Sequence, residues 1–167
     1  MASSSSSSSS SSRKTIKHEV FLSFRGADTR NNFTSHLYAA LCRHGIVTFI
    51  DNRLDRGEEI EPAILKAIEE SYISVVILSE NYATSPWCLD ELVKIFECKD
   101  MGDHKVIPIF YHVDPTDVDN QTGCFGEASI KHKNADKVRM WRNVLSRVAN
   151  LSGGVMTESR YHQSLVK

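Results

Sequence analysis

Signatures of several common enzyme classes are missing from this 167-residue chain. There is no GxxxxGK[ST] phosphate-binding loop, no GxGxxG, no GxSxG and no HExxH. The seven histidines do not fall beside cysteines at zinc-ligand spacing. We therefore expect no bound metal, no serine-hydrolase triad and no P-loop nucleotide chemistry.

Cysteine pairs and long apolar runs are also lacking. The four cysteines show neither a CxxC pair nor a regular spacing, which is typical of a reduced intracellular protein. No apolar run approaches the ~20 residues that span a bilayer. There is no signal-peptide core, and Ala2 excludes myristoylation. We expect no membrane attachment and a cytoplasmic or nucleocytoplasmic location.

The formal net charge is only −1, so no whole-chain field attracts nucleic acid or an anionic membrane. Basic residues do concentrate in one late segment. This segment is either the solvated face of a helix or a weak nucleic-acid surface, and a strongly salt-dependent affinity would indicate the latter. The basic residues concerned are Lys131, Lys133, Lys137, Arg139, Arg142 and Arg147.

The first 17 residues contain ten consecutive serines, from Ser3 to Ser12, followed by basic residues. Such a segment cannot bury apolar surface, so we predict a disordered tail over residues 1–17. A Ser-rich start without acidic residues is also typical of a plastid transit peptide, which stays open as an alternative. One domain is predicted over residues 18–153, and residues 154–167 are predicted to be a C-terminal tail or helix end.

Apolar strand patterns and amphipathic helix patterns alternate along the domain, which predicts an α/β fold with a central parallel sheet. Asp114–Phe125 is predicted to be a long polar loop, and Pro108 indicates an edge strand. The predicted strands are residues 20–24, 46–50, 73–78 and 106–111, and the predicted helices lie around residues 33–41, 60–68, 87–98, 126–132 and 138–151.

The segment after the third predicted strand carries the residues best suited to chemistry. Ser85 is a candidate N-cap, and Pro86 fits the first helical position. A helix that follows a parallel strand begins at the edge where α/β folds bind ligands, which places Trp87, Cys88 and Glu91 at a candidate site. In the alternative interpretation Trp87 packs, Cys88 is inert and Glu91 only favours the helix dipole.

Asp51, at the end of the second predicted strand, suggests a further alternative, the phospho-acceptor of a two-component receiver. The fold class allows it. However, Asp51 follows the second strand instead of the third, and no acidic pair follows the first strand. We therefore do not favour this interpretation.

Nine short motifs occur in the order found in plant Toll/interleukin receptor (TIR) domains, which the chain resembles from His18 to about Gly153. The resemblance implies a flavodoxin-like three-layer fold with a central five-stranded parallel sheet, whose short fifth strand would follow Gln121. The motifs are VFLSFRGADTR (20–30), RGEEI (56–60), LSENYA (78–83), SPWCLDEL (85–92), IFYHVDP (109–115), QTG (121–123), FGE (125–127), WR (141–142) and ANLSG (149–153).

The resemblance also implies a function. Plant TIR domains cleave NAD⁺ or NADP⁺ at the nicotinamide–ribose bond, make nucleotide signals in immune defence and often need self-association before they turn over. NAD⁺ or NADP⁺ would be the substrate, and no tightly bound cofactor is implied. The alternative is a non-catalytic adaptor that acts only by TIR–TIR interaction.

Residue by residue, the resemblance implies that Glu91 is catalytic. Cys88 matches a position linked to a second activity, the making of cyclic nucleotides from nucleic acid. Ser35 and His36 match a pair used with the last helix in a symmetric interface, although ordinary exposed helix residues would give the same pattern. The substrate-binding residues implied are Arg25, Gly26, Ala27, Asp28, Thr29, Arg56, Gly57, Ser79, Trp87 and Cys88.

One carboxylate suffices for the implied chemistry. Glycosidases usually need a second carboxyl group to protonate the leaving oxygen. Nicotinamide leaves NAD⁺ as a neutral ring that was already cationic, so only the ribose oxocarbenium needs stabilisation. Because Glu91 falls near a predicted helix N-terminus, we expect it to be ionised at neutral pH.

Overall fold

The computed structural model describes residues 14–51, 60–127 and 129–157. All strand pairs in its sheet are parallel, in the order β2-β1-β3-β4-β5. This is the flavodoxin-like order, so the predicted fold class is confirmed. The strands are β1 (His18–Phe24), β2 (Thr48–Ile50), β3 (Ser71–Leu78), β4 (Lys105–Tyr111) and β5 (Gly154–Met156).

The described helices lie in the connections between these strands. Between the short helix α1 and the longer helix α2, the chain makes a π-helical turn over Arg30–Thr34, so the connection after β1 bends across the carboxyl edge of the sheet. The helices are α1 (Gly26–Thr29), α2 (Ser35–Arg43), α3 (Pro62–Glu69), α4 (Pro86–Asp100), α5 (Pro115–Asn120) and α6 (Ala135–Ala149).

Two apolar clusters lie on opposite faces of the sheet. Successive residues of β1 alternate between them: Phe21 packs with α3, α4, α5 and α6, whereas Leu22 packs beneath α2. Trp141 of α6 and Phe96 of α4 are among the large side chains of the first cluster. Burying each such side chain contributes about 1.5–3 kcal/mol to the stability of the fold. Because helices cover the sheet on both sides, both faces of β1 and β3 are apolar.

The segment after β4 differs from the prediction. Residues 126–132 were predicted to be helical, but their described part forms turns. A short helix, α5, lies instead in the predicted polar loop. Asp114 caps it by accepting a hydrogen bond from the Thr116 N–H at 2.8 Å, and Pro115 takes the first helical position. Only Val118 of this six-residue helix is buried, which is too little to produce a helical pattern.

The predicted position of the fifth strand is also wrong. It was expected in the loop after Gln121, but β5 lies at Gly154–Met156, in the segment predicted to be a tail. Three residues that begin with glycine give no alternating pattern. Because β5 flanks β4, Pro108 does not mark the edge of the sheet. Pairing with β5 nevertheless begins only at Ile109, so Pro108 itself has no partner in β5.

The N-terminal residues 14–17 belong to the described part. The Lys17 backbone N–H donates to the Glu70 carbonyl at 2.9 Å, and the Lys17 ammonium lies 2.9 Å from the Glu70 carboxylate. Residues 1–13, 52–59, 128 and 158–167 lie outside the described residues, and with them the predicted substrate-binding residues Arg56 and Gly57. Within the described ranges, no helix is long and apolar enough to cross a membrane.

Candidate active site

Glu91 lies on the second turn of α4, under the carboxyl edge of β1. The helix begins as predicted, with Pro86 first and with the Ser85 hydroxyl accepting the Cys88 N–H at 3.3 Å. Glu91 is the sixth residue of α4, and its side chain turns inward, so that only 5% of the residue is exposed.

Both carboxylate oxygens of Glu91 accept a hydrogen bond from a buried donor. The Ser23 hydroxyl of β1 donates to Oε2 at 2.8 Å, and the Trp87 indole N–H donates to Oε1 at 3.0 Å. Trp87 is one helical turn before Glu91 and is itself buried. The strand and the helix together therefore fix the plane of the carboxylate.

The pKa of Glu91 is raised from 4.5 to about 8. Burial is the main cause and the negative charge of Asp51 adds to it, while the Ser23 and Trp87 hydrogen bonds act in the opposite direction. The expectation that Glu91 is ionised at neutral pH is therefore wrong for this conformation. The helix dipole acts mainly within the first turn, and Glu91 lies beyond it. Loss of hydration outweighs what remains of that field.

The cavity in front of Glu91 is small. Its volume is about 10 Å³, which is room for one water molecule and not for a ribose. Asp51, the last described residue before residues 52–59, is among the residues that line it. The lining residues are Leu22, Phe24, Gly26, Arg30, Asp51, Trp87 and Glu91.

The guanidinium group of Arg30 accounts for much of this closure. Its Nη1 donates to the Asp51 carbonyl at 2.8 Å, and its Cζ lies 5.1 Å from the centre of the Phe24 ring. A Cβ atom on Gly26 would come within 2.8 Å of Arg30 Nη2, so a side chain there would displace the end of the Arg30 side chain from this position. Arg30 closes the first motif but was not among the predicted site residues, because only the π-helical turn directs it to the pocket.

Asp28 and Ser79, both predicted to bind substrate, are bonded to each other. Asp28 Oδ2 accepts the Ser79 hydroxyl at 2.6 Å and the Asn81 backbone N–H at 2.8 Å, and Oδ1 accepts the Asn81 side-chain amide at 3.0 Å. These bonds join the segment after β1 to the segment after β3. Both residues therefore hold the edge of the site together.

The other predicted substrate-binding residues after β1 differ in how deeply they are buried. Thr29 is fully buried, and its hydroxyl lies 2.7 Å from that of Thr34, inside the helical turn. Ala27 is exposed and Arg25 is half-buried. Of the predicted loop residues, the structure brings only Gly26 to the cavity in front of Glu91.

Cys88 is not brought to the cavity. Its residue is 2% exposed, and its thiol donates to the Phe24 carbonyl at 3.5 Å. Burial, with a contribution from the nearby Glu91, raises the pKa of this thiol to about 12. The sulfur is therefore a buried neutral thiol and not a reactive thiolate.

Two polar residues behind Glu91 were not predicted. Ser23 and Tyr82 are fully buried, and their hydroxyl oxygens lie 2.8 Å apart. The Tyr82 hydroxyl oxygen also lies 3.1 Å from the Cys88 carbonyl oxygen, within hydrogen-bond distance. The sequence does hold one signal: Ser23 interrupts the otherwise apolar run of β1, at a position that faces the core.

Ser35 and His36 are exposed on α2. The residues of α6, predicted to be the last helix and to share an interface with this pair, pack on the opposite face of the sheet. The two helices therefore present surfaces that point away from each other.

Among the residues that the structure describes, Glu91 is the one buried glutamate, and its place beside Trp87 on a flavodoxin-like parallel sheet is typical of an α/β domain of the Toll/interleukin receptor class. The family model described as "TIR domain" matches residues 17–167, and the chain belongs to this family.

The chain is similar to plant disease resistance proteins. It is 58% identical to the disease resistance protein RPV1 of Vitis rotundifolia over 99% of this chain, and 52% identical to the TMV resistance protein N of Nicotiana glutinosa over 81% of it. The chain spans about 12% of the length of each of these relatives. The TIR domains in the structure of the activated Roq1 resistosome, which directly recognises the pathogen effector XopQ, are 43% identical, with a TM-score of 0.78 over 90% of this chain and 98% of that one.

Proposed function

We propose that this TIR domain acts in plant immune signalling by hydrolysing NAD⁺ or NADP⁺ at the nicotinamide–ribose bond. The observation that carries the proposal is Glu91, a buried carboxyl group held by Ser23 and Trp87 at the edge of the sheet where α/β folds commonly bind ligands. A buried carboxyl group with a raised pKa in a cleft is typical of a functional site. The similarity to plant disease resistance proteins supports the signalling context.

The chemistry needs one negative charge. As the bond between ribose C1′ and the ring nitrogen breaks, its electron pair neutralises the pyridinium, and nicotinamide leaves without protonation. The ionised Glu91 carboxylate stabilises the positive charge that develops on the ribose. Water then adds to C1′ and releases one proton, giving ADP-ribose.

Two changes must precede turnover. The cavity of about 10 Å³ must open, which requires Arg30 to leave its position over Gly26, and Glu91 must lose its proton. Self-association is the proposed trigger, because the similar Roq1 TIR domains occur in an assembled resistosome. In the assembly, binding of the cationic nicotinamide ring near Glu91 favours the ionised carboxylate.

Release of nicotinamide tests the proposal. The protein is incubated with NAD⁺ at high concentration and on a clustering scaffold, next to Glu91→Gln and the matched control Glu97→Gln, an exposed glutamate of the same helix. Glu91→Gln keeps the shape and removes the charge, so we expect a fall of about 10²–10³-fold in rate, whereas Glu97→Gln retains the wild-type rate. Normal turnover by Glu91→Gln overturns the assignment.

The closed cavity favours one second candidate, a non-catalytic adaptor that binds other TIR domains. No nicotinamide release on the clustering scaffold would favour this candidate. Nucleic-acid binding through α6 has less support, because its basic side chains are paired: Lys137 lies 2.9 Å from Asp90, and Arg142 lies 3.4 Å from Glu127. NADP⁺ as a second substrate is tested in the same assay.

A further inference from the structure

A line of four oxygen atoms runs inward from the candidate catalytic group. Glu91 Oε2 lies 2.8 Å from Ser23 Oγ, which lies 2.8 Å from Tyr82 Oη, which lies 3.1 Å from the Cys88 carbonyl. Ser23 and Tyr82 have no exposed surface, so bulk water does not replace either hydroxyl. Buried hydroxyls need partners in whichever protonation state Glu91 adopts.

Each hydroxyl has one proton to donate, and this count fixes the direction of the line. When Glu91 is ionised it only accepts, so Ser23 donates to Oε2 and Tyr82 donates to Ser23. The Cys88 carbonyl, in the body of α4, is then left to its helical hydrogen bond.

When Glu91 is protonated, the two bonds made by Ser23 reverse, and the Tyr82 proton turns to the Cys88 carbonyl. Glu91 donates to Ser23, Ser23 donates to Tyr82, and Tyr82 donates to the Cys88 carbonyl. The same four oxygens at the same distances therefore satisfy both forms of the carboxyl group.

We propose that Ser23 and Tyr82 are positioning residues for Glu91, whose hydroxyls hold Oε2 in both protonation states and reverse their donor direction when the proton leaves. The role of this line in turnover rests on the proposed function, but its effect on Glu91 does not. The line lets the carboxylate form without any movement of the core around it.

The Tyr82 hydroxyl and the Cys88 thiol, which lie near Glu91, do not titrate with it. Burial raises the pKa of Tyr82 well above its usual value, and burial raises that of Cys88 to about 12, so both stay neutral. The Trp87 indole donates to the other carboxylate oxygen from the same helix.

Charged groups lie near the cavity on several neighbouring segments. Asp51, after β2, opposes ionisation of Glu91, and the Arg30 guanidinium, from the π-helical turn, lines the same cavity. Arg25 and Asp28, before and within α1, act on the adjoining Cys88 thiol. Arg30 donates to the Asp51 carbonyl, and Asp28 accepts from Ser79 and Asn81, so these bonds do not depend on Ser23 or Tyr82.

The two hydroxyls have opposite predicted effects. Ser23→Ala removes a charge-assisted bond from the ionised form and a weaker neutral bond from the protonated form, so it favours protonation. Tyr82→Phe removes one bond from the ionised line, but two from the protonated line, and it leaves the Ser23 proton unpaired there. It therefore favours ionisation.

NMR titration of the protein with ¹³C-labelled glutamate carboxyl groups measures this directly, with the Glu91 signal assigned by its loss in Glu91→Gln. Ser74→Ala is the matched control, because Ser74 is also a fully buried strand serine, bonded at 2.7 Å to His104 Nε2 away from the site. We expect the Ser23→Ala midpoint to move to higher pH, with about a tenfold smaller ionised fraction at pH 7. The Tyr82→Phe midpoint moves to lower pH, and Ser74→Ala matches the wild type.

A Ser23→Ala midpoint equal to that of the wild type, or shifts in the same direction in both variants, overturns the proposal. Thermal melting reports the loss of stability separately from the titration. Ser23→Ala loses two buried hydrogen bonds and Ser74→Ala loses one, but only Ser23→Ala is expected to shift the Glu91 midpoint. If Ser23→Ala does not fold, Tyr82→Phe is used alone, because it lacks only one oxygen atom. The direction in which its Glu91 titration midpoint moves then tests the proposal.

The titration needs no turnover, so the two proposals fail separately. Shifted midpoints in a protein that releases no nicotinamide would overturn the proposed function and leave the positioning line standing. Normal nicotinamide release with unshifted midpoints would overturn the line alone. In an active protein, the acidic limb of the pH–rate profile moves with the titration midpoints.

Discussion

Glu91 lowers the stability of the fold that holds it. Its pKa is about 8 in the folded chain against an ordinary value of 4.5, because burial penalises the charge. Between these pH values the folded state binds more protons than the unfolded state, so the free energy of unfolding contributed by this residue falls as pH rises. A cost of this kind is expected where a group is kept for chemistry and not for packing.

Glu91→Gln is therefore expected to stabilise the domain at neutral and alkaline pH. The glutamine carbonyl accepts from Trp87 and its amide donates to Ser23, as the protonated glutamate does. The gain is about 1 kcal/mol at pH 5 and on the order of 3 kcal/mol at pH 7, measured by urea unfolding. Glu97→Gln is the control, and a Glu91→Gln protein less stable than wild type at pH 8 would contradict the linkage.

The position of strand β5 depends on one close approach to β4. A Cβ atom at Gly153 would lie 2.1 Å from the Pro108 carbonyl oxygen, so any side chain there pushes the strands apart. The His112 N–H, at a residue with φ of +55°, donates to the Met156 carbonyl at 2.9 Å and fastens the other end of β5.

Gly153→Ala should loosen β5 from the sheet. Overpacking against backbone typically costs about 1–3 kcal/mol, so urea unfolding shifts to lower concentration and the His112 amide exchanges faster. Gly154→Ala is the matched control, because nothing lies within 4 Å of its added Cβ and its φ is not positive. Equal exchange at His112 in the two variants would contradict this account.

Elements with strong local patterns could be predicted from the sequence, and those fixed by neighbouring elements could not. The apolar run of β3 and the Ser85–Pro86 start of α4 are local signals, and both were confirmed. Helix α5 and strand β5 bury too few residues to leave a pattern. Their positions follow from packing against α6 and β4.

The candidate site divides in the same way. Glu91 and Trp87 were predicted because they share one helical segment with a recognisable start. Ser23, Tyr82 and Arg30 come to Glu91 from separate elements, and only the folded sheet edge brings their atoms within hydrogen-bond or van der Waals reach. Glu91's protonation state was missed because desolvation depends on burial, which the sequence does not give.

The closed cavity of the whole molecule gives a reason for the proposed need for assembly, because the cavity must open before substrate can bind. A cavity of about 10 Å³ admits no substrate, so an isolated domain should turn over slowly whatever its catalytic groups. In the proposed mechanism, contact between copies would supply the free energy that moves Arg30 away from Gly26, and it would do so only where copies are concentrated. Signalling would then depend on receptor clustering.

His36→Ala is expected to weaken this association. The exposed imidazole lies on α2, and in a two-fold symmetric contact each substitution is counted twice, so a loss of about 1 kcal/mol per copy raises the dimer dissociation constant about 30-fold. Light scattering measures the mass, and nicotinamide release is followed over the same concentrations, with Glu97→Gln as the control. On a clustering scaffold, where local concentration exceeds the weakened dissociation constant, the His36→Ala rate should return to that of the wild type. Unchanged mass together with an unchanged rate in solution would refute a role for His36, while a low rate that persists on the scaffold would place the defect in turnover and not in association.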